Sequence, residues 1–217
     1  LYTGGNLGNV LGIGTTTINN STVSESVYGG GNQATIGNKT DQSIVSNLTI
    51  ENSNIKDVYG GGNSAGVNGS TNVLINASNI SGNVYGAGNG LNSIVVNDVT
   101  GELNPAVVTG NTNLEIKGNT IIANSIYGGG NLGFVYGDTN VVIDNITISE
   151  NLYGGGNAAH VLGNVHLNLS NCKVLKNIYA GGNGINATVG KDTNLNIVGS
   201  SVDDSIYGGG NAAKVLG

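Results

Sequence analysis

The sequence lacks arginine, tryptophan and methionine, and its 217 residues include a single proline and a single cysteine. Charged side chains make up only 9% of the chain, with 13 acidic residues against 7 lysines and a net charge of -6. Nucleic-acid binding requires basic stripes that neutralise phosphates, and so few lysines do not supply them. The lone Cys172 cannot form an internal disulfide or a cysteine-based zinc site.

Other protein classes are excluded by patterns that the sequence does not contain. No apolar run is long enough to cross a bilayer as a helix. Glycine occupies 39 positions without recurring at every third residue, which excludes a collagen triple helix. Disorder is not expected either, because 38% of the residues are hydrophobic and the charge density is low. The chain is therefore expected to fold around a core.

One six-residue motif occurs eight times with small variations: an aliphatic residue, a tyrosine, three glycines and an asparagine. Its tyrosines are Tyr2, Tyr28, Tyr59, Tyr85, Tyr127, Tyr153, Tyr179 and Tyr207. Four of the seven intervals between these tyrosines are 26 residues long, and the longest, between Tyr85 and Tyr127, is 42. Repeats at such a period are typical of solenoids and related arrays.

A second motif, Asn-(Val/Leu)-x-(Ile/Leu), precedes most of the tyrosines. It begins at Asn47, Asn72, Asn113, Asn140, Asn164 and Asn194, with Thr15 in the equivalent place of the first unit. Its alternating apolar residues predict a strand. An apolar position follows the motif, at Val23, Ile55, Ile80, Ile121, Ile148, Cys172 or Val202. Another follows most tyrosines, at Val10, Ile36, Val67, Val135, Val161 and Val215. Each unit thus predicts short strands joined by polar turns, and no segment shows a helical period.

Short strands at a fixed large period predict an all-β solenoid, in which equivalent residues of successive coils lie side by side about 4.8 Å apart. Identical residues would then form ladders. We expect three polar ladders. The first contains Asn6, Asn32, Asn63, Asn89, Asn131, Asn157, Asn183 and Asn211. The second contains the asparagines that begin the second motif, and the third contains Ser21, Ser53, Ser78, Ser170 and Ser200.

The motifs "YGGGN" with the following "V-x-G", and "TNV-x-I", resemble the Gly- and Asn-rich repeats of large bacterial surface and secreted proteins. Those adhesin-like repeats are relatives of the pectin-lyase fold, and the resemblance covers the whole chain. It implies a right-handed parallel β-helix, here of about eight coils with mostly 26 residues each. We expect residues 1–217 to form one solenoid domain, an excerpt of a longer repeat array, because both termini fall at the same phase of the repeat.

The resemblance also raises the alternative of a carbohydrate-active enzyme, because many β-helix relatives cleave polysaccharides with clustered carboxylates. Asp203 and Asp204 are adjacent, so a strand would send them to opposite faces. Asp138, Asp144 and Glu150 are scattered along one unit. His160 and His166 occupy positions that vary between units, and Cys172 replaces Ile or Val at a core position. These observations predict no catalytic site, no metal site and no cofactor.

Two features could bind a partner. If the aliphatic residue of the first motif faces the core, its tyrosine faces outward, and the eight candidate binding tyrosines (Tyr2, Tyr28, Tyr59, Tyr85, Tyr127, Tyr153, Tyr179 and Tyr207) form an aromatic strip. The alternative is that these rings stack on one another, half buried, and stiffen the coil. The second feature is an insertion at 91–110, where two β-branched runs predict a hairpin with Glu102 and Asn104 near its turn. It could carry binding or be a tolerated loop.

The sequence therefore favours a non-enzymatic structural or adhesive segment of a long extracellular or cell-surface bacterial protein. Its partner would be a carbohydrate or a host or cell-surface protein, with no nucleic acid and no membrane insertion. A carbohydrate-active enzyme or carbohydrate-binding module is the alternative. A further alternative is an extracellular filament subunit that associates end to end, because low charge and matched ladders would let coils continue between molecules. Ice binding is a weaker option, since only "GTTT" near Thr15 suggests ranks of threonine.

Overall fold

The computed structural model describes residues 1–38, 43–90 and 106–217. These residues form a parallel β-solenoid of about six turns with three seven-stranded parallel sheets. The described residues contain no helix, and hence none that could span a membrane. The all-β solenoid predicted from the repeats is confirmed.

Every coil contributes one strand to each sheet. The first sheet consists of β1 (Gly14–Asn19), β4 (Ile44–Glu51), β7 (Ser70–Asn76), β10 (Thr112–Lys117), β13 (Thr139–Asp144), β16 (Val165–Ser170) and β19 (Thr193–Val198). The second sheet consists of β2 (Thr22–Val23), β5 (Asn54–Ile55), β8 (Asn79–Ile80), β11 (Ile121–Ile122), β14 (Thr147–Ile148), β17 (Lys173–Val174) and β20 (Ser201–Val202). The third sheet consists of β3 (Val27–Tyr28), β6 (Val58–Tyr59), β9 (Val84–Tyr85), β12 (Ile126–Tyr127), β15 (Leu152–Tyr153), β18 (Ile178–Tyr179) and β21 (Ile206–Tyr207).

The number of coils is lower than the eight expected from the tyrosine motifs. Each sheet has seven strands, because the first motif contributes only an isolated bridge between Tyr2 and Tyr28. The step between equivalent residues is mostly 26 residues, with longer steps of 28, 31 and 42. The right-handed winding stays a prediction.

The main core is a column of aliphatic side chains from all three sheets. Leu114, Ile116, Ile122 and Ile126 show how one coil fills it, two from the first sheet and one from each of the others. All four are at most 2% exposed. Alternation along each strand sends these residues inward and their neighbours outward, as the sequence pattern predicted. At roughly 25 cal/mol per Å² of apolar surface, this repeated burial is the main source of stability.

A second, smaller core lies behind the glycine-rich turns. It contains the predicted residues Ile36, Val67, Val135 and Val161, with Val10 and Val215 packed against it at the ends. Val108 and Val189 complete this row through parallel bridges to their neighbours, although the sequence pattern did not assign them. The sequence analysis placed residues 106–110 in the insertion. Because Val108 belongs to the row of the second core, these residues are part of the coil itself.

Buried hydroxyls hold the glycine-rich turn against the first sheet. Thr71, Thr112 and Thr139 each donate a hydrogen bond of 2.8 Å to the carbonyl of the glycine that follows the tyrosine in the same coil. These glycine carbonyls face inward and would otherwise be buried without a hydrogen-bond partner. The threonine hydroxyls supply that partner. This contact fixes the position of the third sheet relative to the first.

The structure corrects the register of one coil. The sequence motif aligned Asn164 with the asparagines of the other coils, but His166 is the residue that pairs with Asn140 and Asn194. Consequently Val174, not Cys172, occupies the apolar position next to Ile148 and Val202. The predicted assignment was shifted by two residues. Such a shift leaves every side chain on the same face, so the apolar pattern could not detect it.

The serine ladder changes accordingly. Ser170 lies in the first sheet, where it pairs with Asp144 and Val198, and is not part of the ladder. Cys172 takes its place instead, and its backbone N–H donates to the hydroxyl of Ser200 as that of Ser53 does to Ser78. The thiol donates to the carbonyl of Ser170, two residues earlier, at 3.1 Å. Cys172 is therefore buried in the row of Ser53, Ser78 and Ser200, where the preceding coil has Ile146, and not in the apolar row of Ile148 and Val202.

A second correction concerns Ile121. An extra residue in the turn, Gly118 with φ of +75°, moves the chain on by one position, so Ile122 occupies the core and pairs with Ile80. A shift of one residue reverses the faces. Ile121 consequently points outward and is 51% exposed, whereas it was expected inside.

Candidate functional site

The eight repeated tyrosines form one continuous column along the third sheet. Neighbouring rings have centroids 4.8 to 5.0 Å apart and planes within 10° of parallel. The first six strands of this sheet, from β3 to β18, place their aliphatic residue in the main core, so the adjacent tyrosine faces away from it, whereas Ile206 of β21 at the end of the solenoid is 51% exposed. The predicted alternation therefore produces a tyrosine ladder that is separate from the core.

Most of this ladder is nevertheless buried. Tyr28, Tyr59, Tyr85, Tyr127 and Tyr153 are 4% to 8% exposed and form a cluster of their own, with Tyr179 packed against it. Only Tyr2 and Tyr207 are substantially open, at 39% and 46%. The rings cover each other's faces, and stacking on a sugar needs an open face. The geometry therefore matches the stacked, stiffening arrangement more closely than an open aromatic strip.

Burial changes the acidity of the hydroxyls. Loss of solvent contact raises the pKa of Tyr153 to about 12, and neighbouring tyrosines raise it further. Burial also raises the pKa of Tyr85 and of Tyr28. At Tyr28 a hydrogen bond with Ser26 lowers the pKa, but the effect of burial is larger. These tyrosines stay neutral at any physiological pH.

The predicted asparagine ladder runs beside the tyrosines and is complete. Each asparagine donates from Nδ2 to Oδ1 of the asparagine one coil earlier, at 2.7 to 3.0 Å, from Asn32 on Asn6 to Asn211 on Asn183. The second predicted ladder is less regular. Asn140 donates to Asn113 at 3.1 Å, but His166 and Asn194 are separated by 3.4 Å.

The candidate residues Glu102 and Asn104, with most of the predicted hairpin at 91–110, lie outside the described residues. The candidate tyrosines are brought together along one face. Whether any of these residues binds a partner stays a prediction.

The described Asp, Glu, Lys and His residues are all at least partly exposed. His160 contacts Phe134 edge-on at 4.8 Å, and partial burial lowers its pKa. Hydrogen bonds from Ser170 and Asn171 lower the pKa of Asp144. Asp203 lies 3.9 Å from Lys173 at the surface. Within the described ranges, no three His, Cys, Asp or Glu side chains lie close enough to share a metal ion.

One surface feature had no counterpart in the sequence analysis: a shallow groove along the corner between the first and second sheets. Two recesses of about 340 and 520 Å³ share Asn119 and Ile121. Asparagines line both, and most come from the turns in which the chain leaves the first sheet. These turns use positive φ, which asparagine tolerates better than most residues. The groove is formed by turns of different coils, so it can be recognised only when the coils are stacked in three dimensions.

The fold and its ladders define the class of the molecule: it is a parallel β-solenoid with tyrosine and asparagine ladders along one face. Comparisons with protein-family models, with curated proteins and with solved structures found no match.

Proposed function

We propose that this chain is a rigid, non-enzymatic structural segment of a long extracellular bacterial protein. The observation that carries the proposal is the unbroken pair of ladders along the solenoid axis. Between every two successive coils from Tyr2 to Tyr207, one pair of tyrosine rings stacks and one pair of asparagine amides forms a hydrogen bond. Because each coil of a solenoid contacts only its neighbours, axial rigidity depends on such contacts between coils.

The side chains of the third-sheet face favour this mechanical role over ligand binding. Its rings and amides are the groups best suited to recognise a sugar, and they already bind one another. Using them for a ligand would require the ladder contacts to break first. The face therefore stabilises the rod.

The cell-surface setting and an adhesive role rest on the resemblance of "YGGGN" and "TNV-x-I" to adhesin-like repeats. A rod of stacked coils would place a binding element at a distance from the cell. At about 4.8 Å per turn, the six turns span roughly 30 Å along the axis. The relation to the pectin-lyase fold belongs to the same proposal.

Duplicating one coil tests the mechanical role directly. A second copy of residues 127–152, inserted after residue 152, keeps every ladder in phase because the step is 26 residues. We expect small-angle scattering to show a particle longer by about 5 Å, with stability equal or higher. A duplicate that aggregates, or that melts well below the parent chain, would contradict a role as an extendable rod.

Enzymatic activity is tested separately. Incubation with a panel of plant and microbial polysaccharides should release no reducing ends and no unsaturated products. Steady cleavage of any one polysaccharide would replace the structural proposal with the carbohydrate-active alternative. Binding of an intact glycan without cleavage would support the adhesive form of the proposal.

A further inference from the structure

Ten asparagines are followed two residues later by serine or threonine, with no proline between them: Asn19, Asn20, Asn38, Asn47, Asn68, Asn76, Asn79, Asn145, Asn168 and Asn186. This tripeptide is the acceptor sequence for N-linked glycosylation. None of the eight asparagines of the asparagine ladder begins such a tripeptide. The amides that hold coils together and the amides that could accept a sugar are thus separate sets.

Two acceptor tripeptides occupy equivalent places along the corner between the first and second sheets. Asn20 and Asn145 both lie in the turn from the first sheet to the second, with φ of 49° and 54°, and both are exposed. Their threonines, Thr22 and Thr147, are the outward residues of β2 and β14. The amide and the hydroxyl that the acceptor sequence requires therefore stand together on the outer surface.

Three asparagines in the same row provide a natural control. Asn52, Asn119 and Asn171 have φ of 48°, 61° and 55° and are also exposed. The residues two positions later are Asn54, Ile121 and Lys173, which carry no hydroxyl. The backbone and the exposure are the same as at Asn145, and only the acceptor sequence is missing.

The surroundings of Asn145 add an independent observation. A recess of about 340 Å³ is lined by Asn119, Ile121, Asn145 and Thr147. Ile121 is half exposed at a position where the other coils have Thr22, Asn54, Asn79, Thr147, Lys173 and Ser201, and it pairs in register with Thr147. The C–H face of a pyranose ring attached to Asn145 could cover this side chain, which nothing in the described structure covers.

We propose that Asn145, and by the same geometry Asn20, carry N-linked sugars. In the transfer, Nδ2 of asparagine forms a bond to C1 of a nucleoside-diphosphate sugar, and the bond from C1 to the diphosphate oxygen breaks. The nucleoside diphosphate leaves with the bonding electrons, and one Nδ2 proton passes to a base of the transferase. Asn145 Nδ2 has two hydrogens, so the one that remains can still donate to Oδ1 of Asn119, now at 2.9 Å.

Mass spectrometry of the protein isolated from the cells that produce it tests the proposal. Fragmentation that locates each sugar to a single residue should find one or more sugar residues on Asn145 and on Asn20, and none on Asn119 or Asn171. Unmodified Asn145 and Asn20 in the native protein would overturn the proposal. Equal modification of Asn119 would overturn it too, because Asn119 lacks the acceptor sequence, and that sequence would then not determine which asparagines are modified.

Variants separate the acceptor sequence from the fold. In the producing cells, Thr147→Val should abolish modification of Asn145 and Thr147→Ser should keep it, while circular dichroism shows an unchanged solenoid for both. Ile121→Thr creates an acceptor at Asn119 in the same groove, and we expect a new sugar there. Continued modification of Asn145 in Thr147→Val would contradict the proposal.

An in vitro reaction tests the geometric part. The folded chain is incubated with glucose donated by a nucleoside diphosphate and a transferase specific for Asn-x-Ser/Thr. Asn145 should be modified, whereas Asn68, which is 8% exposed and donates from Nδ2 to the Gly37 carbonyl at 3.2 Å, should react only after unfolding. Equal reaction of both sites in the folded chain would show that the corner geometry gives Asn145 no advantage.

Discussion

Two edges of the same coils differ in how closely they repeat. Along the edge with the tyrosine and asparagine ladders, every step uses the same pair of residues. Along the corner between the first and second sheets, the turn residue varies from Asn145 to Ala77 to Gly199, and its neighbour from Ser53 to Ile146 to Cys172. The repeated edge stacks side chains that need identical partners, whereas the variable corner only needs a turn with positive φ.

Removing one buried ring should have the largest effect. Tyr127 stacks between Tyr85 and Tyr153 at 4.9 and 4.8 Å and is 7% exposed. We expect Tyr127→Ala to lower the free energy of unfolding by about 3–5 kcal/mol, as for other buried aromatic deletions. Urea denaturation measures it. Tyr207→Ala, at an exposed ring with one stacked neighbour, is the control and should lose much less. Equal losses would mean that stacking on both sides adds nothing.

The third glycine of the motif should be the next most sensitive position. It is glycine in all eight units, and at Gly130 a Cβ atom would clash with the Gly133 carbonyl and lie 2.7 Å from the Gly88 carbonyl. We expect Gly130→Ala to cost about 3 kcal/mol, since the backbone atoms cannot move aside. Gly209→Ala, where a Cβ meets nothing within 4 Å, should change thermal stability by less than about 0.5 kcal/mol. Similar melting temperatures for the two variants would contradict the packing argument.

Alkaline pH should weaken the tyrosine edge selectively. Burial raises the pKa of Tyr153 to about 12 from the ordinary value of 10.0, so the folded state holds this proton more tightly. The stabilisation is complete below pH 10 and is lost as the pH rises through 12, by up to about 3 kcal/mol for this residue. Denaturant midpoints between pH 8 and 12 measure it. The Tyr153→Phe variant should lose less over this range, and parallel curves would refute the assignment.

The asparagine edge should lose less per residue. Asn131 donates to Asn89 at 2.8 Å and accepts from Asn157 at 2.9 Å, so Asn131→Ala breaks two hydrogen bonds. We expect a loss of about 2 kcal/mol in chemical denaturation. Asn52→Gly in the corner is the matched control and should be nearly neutral, because Gly199 already occupies an equivalent turn. If Asn52→Gly lowers stability as much as Asn131→Ala, the two edges do not differ in their dependence on the asparagine side chain.

The smallest effect distinguishes the two assignments of Cys172. If it replaces serine, Cys172→Ser should keep the hydrogen bond to the Ser170 carbonyl and change stability by about 0.5 kcal/mol or less. If it belonged to the apolar row of Ile148, the same change would place an unpaired hydroxyl in the core and cost about 1–3 kcal/mol. Thermal melting of the two proteins separates these outcomes.

The sequence by itself determined the solenoid, the inward aliphatic rows and the asparagine ladder. Spacing alone sets these features, because a residue repeated once per coil must stack on its equivalents. The direction of the tyrosines also followed from alternation next to residues such as Val27. Their burial did not, because it depends on rings contributed by other coils.

Only the tertiary structure decided the features that depend on register. A shift of two residues keeps the faces, so Cys172 and His166 could not be placed from the apolar pattern. The extra turn residue at Gly118 moved Ile121 to the surface, and a turn's length shows only when strands are paired. The corner groove is likewise built from Asn119, Asn145 and neighbouring turns that are about 26 residues apart in sequence but adjacent in space. Residue spacing within one coil determines where strands form, whereas the register between coils determines which side chains lie together on the surface.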